Sequence, residues 1–165
     1  MTHPDLPPSA AWRHRDAREG FECVFPGAVP GGGWRLDGWT TGVEEGVTWV
    51  VGYRITVDAR WHTTAASAWS RSRAGEASVE IAADGEGGWT VDGVPAPQVA
   101  GVLDVDLEAS ACTNTFPVHR LALAPGAAPP PPRPAPGRGG GGAGGVAFDE
   151  ALLVVDYPDL AVRVA

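Results

Sequence analysis

Over residues 47–58 the sequence VTWVVGYRITVD alternates strictly, with Val47, Trp49, Val51, Tyr53, Ile55 and Val57 on one side. Thr48, Val50, Gly52, Arg54, Thr56 and Asp58 fall on the other. Successive side chains of a strand point to opposite faces, so this run predicts a long strand with one continuous apolar face. Residues 61–71 read as its partner strand, and residues 20–25 and 34–39 as shorter ones. Residues 76–82 and 89–91 form a hairpin across the turn at 84–88, and Asp92-Gly93 marks another tight turn. Residues 26–33 and 42–46 read as turns, and residues 12–19 suit a short helix or a first strand. Short strands at close spacing with no convincing helical period predict an all-β protein, a mostly antiparallel sheet that curls into a roll or an incomplete barrel.

The chain has 165 residues, enough for one domain with a substantial core. Residues 1–11, with Pro4, Pro7 and Pro8, predict a disordered lead, and residues 12–165 a single β domain. A Pro/Gly-rich stretch interrupts that domain at 125–145, where fifteen of 21 residues are Pro or Gly, so a packed strand is not expected there. All 12 basic residues are Arg and the formal charge is −8, which gives no electrostatic footprint for nucleic acid. Without lysine there is no Schiff-base amine and no lysine-bearing phosphate loop. Two distant cysteines, Cys23 and Cys112, are expected to be small hydrophobes and not a disulfide framework. The first residues lack the pattern of a secretory signal and no run approaches a membrane span, so a soluble cytoplasmic protein without cofactor is expected.

Residues 101–121 read GVLDVDLEASACTNTFPVHRL. Val102, Asp104 and Asp106 alternate with Leu103, Val105 and Leu107, which predicts a half-buried strand with an acidic back. Thr113, Asn114 and Thr115 suit a turn that bonds its own backbone, and residues 116–123 suggest a second strand starting near Pro117. This stretch resembles the bacterial family named Putative glycolipid-binding, formerly a domain of unknown function, in which a DVD segment precedes a TNT-Pro segment ending in Arg-Leu. Tyr53, Asp58, Trp61 and Thr63 also match, as do Val155, Asp156, Tyr157 and Pro158 near the end. His119 stands where the family has Arg, Phe116 where it has Leu, and Thr64 where it has a basic residue. Residues 125–145 replace further strands of the family.

The resemblance implies a spiral β-roll that binds a glycolipid or similar amphipathic ligand, the tail in an apolar groove. The candidate ligand-binding residues are Arg54, Asp58, Trp61, Asp104, Asp106, Asn114, His119 and Arg120. Each also has a plainer use. Asp104 and Asp106 could be structural ion-pair members, with Arg120 or Arg54 close by to offset burial. Asn114 is also a turn device, and His62 and His119 match no metal-ligand spacing, so no metal site is expected. No nucleophile motif occurs, so no catalytic residue is assigned. One alternative is a small hydrolase or lyase using Asp104 and Asp106 as acid and base; another is a ligand-free scaffold. Strands lost at 125–145 could leave a sheet edge that pairs with a second copy as a homodimer.

Overall fold

The structure, a computed structural model, describes residues 5–16, 18–84, 86–123 and 146–165. Eight strands run in sequence: β1 (Ala10–His14), β2 (Arg18–Val29), β3 (Gly33–Glu44), β4 (Val47–Val57), β5 (Thr63–Ser72), β6 (Gly75–Ala83), β7 (Trp89–Val91) and β8 (Val94–Pro95). Residues 96–123 follow without a strand, holding a 3-10 turn (Cys112–Asn114) that runs into α1 (Thr115–Arg120). Then come β9 (Ala147–Phe148), β10 (Val154–Tyr157) and β11 (Ala161–Arg163). Among the described residues the eleven strands form one antiparallel sheet in the order β8-β7-β6-β5-β4-β3-β2-β1-β11-β10-β9. It curls without closing, so the all-β, incomplete-barrel expectation holds. Its edge strands, β8 and β9, have two residues each, which leaves little ladder for another chain to extend. Among the described residues no helix is long and apolar enough to cross a membrane.

The alternation of residues 47–58 is realised in β4: Tyr53, Ile55 and Val57 are buried on the concave face. The hairpin β7-β8 turns at Asp92 and Gly93, both with positive φ (50° and 77°), as that dipeptide requires. Of residues 12–19, open between helix and strand, 12–14 end β1 and 18–19 begin β2. The expected turns at 26–33 and 42–46 are shorter than read, because β2 runs on to Val29 and β3 to Glu44. Pro26 sits in a strand at no cost, since the β1 ladder begins only at Ala10, opposite Val24, and leaves no partner on that side to ask for its N–H. Order begins before Trp12: Leu6 is buried in the core and β1 starts at Ala10. Residues 1–4 of the expected lead and the 125–145 interval lie outside the described residues.

The larger correction concerns residues 101–123. The alternation survives, with Leu103, Val105 and Leu107 half-buried, but the segment joins no ladder and is not a strand. Its backbone ties to the sheet include Thr63 N–H to the Leu103 carbonyl (3.0 Å), Val105 N–H to Thr63 Oγ1 (3.4 Å) and Trp89 Nε1–H to the Val102 carbonyl (2.8 Å). The expected strand at 116–123 is instead α1. Pro117 falls in the first turn, where its missing N–H is one of those a helix leaves unpaired anyway. Phe116 and His119, three apart, share a helix face and both meet Trp61: the indole stacks on His119 at 3.7 Å and 8°, and its centroid lies 6.4 Å from Phe116. With Phe116, Val118 and His119 fully buried, the segment fills the cup made by the sheet.

Bare glycines let large rings lie flat on the sheet. Tyr53 stands directly opposite Gly38, and its ring occupies the volume a Cβ there would need. This lets the Tyr53 hydroxyl cross β3 and reach Glu22 on β2. Gly38→Ala is therefore expected to displace the ring and destabilise the fold by about 1–3 kcal/mol, read as a lower urea midpoint at unchanged m-value.

Candidate ligand groove on the concave face

Glu22 organises the site. It lies on the concave face of β2 between Trp12 and Thr40 and is fully buried. Its carboxylate accepts hydrogen bonds from Tyr53 Oη (2.6 Å), Ser110 Oγ (2.5 Å), Ala111 N–H (2.6 Å) and Cys112 N–H (3.4 Å). Two of these donors are backbone groups of the inserted segment, so Glu22 clamps the start of the 3-10 turn to the sheet. Burial pushes its carboxyl above the ordinary value of 4.5, with the four hydrogen bonds pulling the other way. Burial, and then the Glu22 carboxyl, push the Tyr53 hydroxyl and the Cys112 thiol well up.

Clamped in this way, residues 107–109 form one wall of a groove of about 240 Å³. The other walls are Arg18 of β2, Thr40 and Glu44 of β3, and Trp49 and Val51 of β4. Thr40 pins the lip by donating to the Ala109 carbonyl (3.3 Å) and shares a hydrogen bond with His14 Nε2 (2.9 Å). Trp49 lies over Gly42, where a Cβ would come within 2.5 Å of its ring, and tilts against His14 at 6.2 Å. Burial, and then the Arg18 charge, lower the His14 pKa and favour neutral imidazole there. Arg18 is 11 % exposed; Nη2 approaches Glu44 at 3.5 Å, while Nη1 is buried without a hydrogen-bond partner among the described residues. An indole is thus bordered by a guanidinium, two carboxylates and a hydroxyl. A wider depression of about 430 Å³ surrounds residues 13–16 and 19–21, but a single hairpin supplies all of it and no facing wall closes it.

The eight residues singled out from the sequence do not share one place. Asp104 and Arg120 come together as a two-pronged ion pair, Nη1 to Oδ1 and Nη2 to Oδ2, the second at 2.7 Å. Asp106 accepts from Thr113 Oγ1 (2.7 Å), and Asn114 donates to the Ser110 carbonyl (3.3 Å) in the turn expected of it. Trp61 and His119 are stacked in the core. Asp58 accepts from the N–H groups of Arg60 (2.8 Å) and His62 (2.9 Å), shaping the turn that holds Trp61 at φ 62°. Arg54 is on the opposite, convex face, bonded to Asp37 at 2.5 Å. Arg120 is thus the partner of Asp104, and Arg54 is not. The groove residues Arg18, Thr40, Glu44 and Trp49 carried no local signal except for Trp49, and Glu22 had none, because its donors lie 31 to 90 positions away.

An open, curled antiparallel sheet filled by its own loop and short helix defines an incomplete-barrel protein with a mouth groove. The chain belongs to the family described as Putative glycolipid-binding, whose model matches residues 9–130. It is also similar to a crystal structure of a DUF1089 family protein from Pseudomonas aeruginosa, 27 % identical, with a TM-score of 0.66 over 93 % of this chain and 95 % of that one. No curated protein matches the chain.

Proposed function

We propose that the protein binds an amphipathic glycolipid-class molecule non-covalently, with its sugar in the groove over Trp49. The observation that carries this is the mixture of groups around one indole. A sugar ring has an apolar face of C–H bonds and an edge of hydroxyls that both donate and accept. Trp49 offers the apolar platform, Glu44 and Glu108 are acceptors, and Arg18 is a donor. A buried guanidinium N–H without a partner costs about 1–3 kcal/mol, and a ligand oxygen would recover it. The volume, below the roughly 300–1,000 Å³ of sites that enclose a whole drug-sized ligand, suits a headgroup alone.

The tail then runs along the neighbouring concave positions. Ala68 and Ser70 of β5 are short side chains between Val51 of β4 and Val79 and Ile81 of β6, all half-buried. Eight methylenes laid there would gain on the order of 6 kcal/mol before association costs. The name of the matching family supports the ligand class. Asp104 and Asp106 act in this reading as supports of the inserted segment.

The test is a titration with octyl glucoside followed by tryptophan fluorescence, against a zwitterionic detergent with the same tail. Preference for the sugar-bearing probe, weakened at least about tenfold in Trp49→Ala, is expected. Equal uptake of both detergents, or unchanged binding by the variant, removes the sugar from the groove. Native mass spectrometry of the freshly purified protein then identifies any lipid carried along.

A further inference from the structure

The convex face carries an apolar area that no described element covers. Strand register sets it in rows. One row runs Ala11, Cys23, Trp39, Gly52, Trp69 and Ser78 across six strands without a charge. The next row holds Phe21, Thr41 and Val50, and Phe25 borders Trp39 edge-on at 6.2 Å and 71°. Trp69 lies over the bare backbone of Gly52, so the two indoles flank one flat glycine. Phe21 is 54 % exposed, Phe25 50 %, Trp39 42 % and Trp69 47 %. Sheet faces of monomeric proteins seldom show four large rings together at this exposure, and such areas mark contact with a partner or a membrane.

Area and charge select the occupant. At 150–250 Å² per ring, four half-exposed rings present roughly 400 Å², about half of what each side of a stable dimer buries. A bilayer interface needs no matched partner area. Indole is the side chain that settles where one end meets hydrocarbon and the other water. Around the rows stand Arg13, Arg35, Arg54 and Arg71 against Glu19, Asp37, Glu76 and Glu80. Asp37 is shared by Arg35 and Arg54, Arg71 pairs with Glu76, and Arg13 has no ion-pair partner among the described residues. This face therefore carries no net charge on a chain of −8. A rim of both signs matches a surface of phosphates and cholinium groups, whereas an anionic bilayer repels the molecule as a whole.

We propose that the convex face seats on the interface of a zwitterionic phospholipid bilayer, with Trp39, Trp69, Phe21 and Phe25 at the boundary of headgroups and acyl chains. Arg13 and Arg54 meet lipid phosphates, and the concave groove faces away from the membrane plane. This stands independently of the ligand proposed for the groove, since the two faces share no residue.

The experiment is co-sedimentation of the full chain with phosphatidylcholine vesicles, and with the same vesicles containing phosphatidylglycerol at low salt. Partition into phosphatidylcholine is expected, reduced by phosphatidylglycerol, and at least about tenfold lower for the double variant Trp39→Ala/Trp69→Ala. Because loss of Trp69 could loosen the sheet, quenching of the native protein by phosphatidylcholine brominated on its acyl chains gives an independent measure. Octyl glucoside binding should be unchanged in the variant. Absence of both partition and quenching overturns the proposal. So does a dimer in sedimentation velocity that the double variant dissolves, which would make a second copy the occupant.

Discussion

Glu22→Ala is expected to lower the unfolding free energy by about 3–5 kcal/mol, the largest single effect of a polar substitution in this chain. Four donors lose their common acceptor at once, and two of them are backbone N–H groups that no water can reach without opening the cup. The inserted segment should loosen first, seen as faster amide exchange at Ala111 and Cys112. An unchanged urea midpoint would mean that packing alone seats the segment. The pH dependence follows from the direction of the shift. The folded protein holds Glu22 protonated more readily than the unfolded chain does, so its carboxyl adds stability below the ordinary value of 4.5. That contribution is lost as pH rises through the raised folded value. Asp58 has the opposite sign. Burial alone would raise it, but the N–H groups of His62 and Arg60 hold it below 3.8, so its contribution is present above that value and lost on acidification through the folded one. Glu22→Gln should therefore flatten the slope above 4.5 and leave the acid limb in place, which urea midpoints across that range would resolve.

Trp61→Ala should cost about 3–5 kcal/mol and lower the melting temperature on the order of 10 °C. The indole is 1 % exposed and closes the bottom of the cup, stacked on His119 and against Phe116. Its removal leaves a cavity that a curled sheet cannot collapse around, and α1 loses the surface it rests on. Alanine retains the left-handed backbone that Trp61 holds, so the loss reports packing and not release of φ strain. A change in melting temperature of only a degree or two would mean that His119 and Phe116 close over the gap.

The contrast between β4 and β2 shows how far periodicity reaches. Both alternate, and both are strands. In β4 the apolar set Trp49, Val51, Tyr53, Ile55 and Val57 faces inward, as hydrophobicity alone would place it. In β2 the rings of Phe21 and Phe25 point out while Glu22 and Val24 point in. A period of two says that faces differ, but not which one meets the core, and four donors from β4 and the inserted segment made the carboxylate the inner group. That α1 forms where the sequence suggests a strand has a related cause. FPVHRL is compatible with either state, and six residues are too few for a helical period to register; the Trp61 surface decided it.

The amino-acid sequence by itself determined the elements whose instructions are local: the alternation of β4, the Asp92-Gly93 turn, the Asn114 turn, and a family motif written as short runs of fixed spacing. It also determined the electrostatics that a sum of charges settles. Only the tertiary structure decided where the inserted segment lies, which face of β2 is inside, that Arg120 holds Asp104, and that Arg18, Glu44, Trp49 and Glu108 meet at one groove. These depend on contacts between residues tens of positions apart, formed when the sheet curls, and no local pattern encodes the curvature that brings them together.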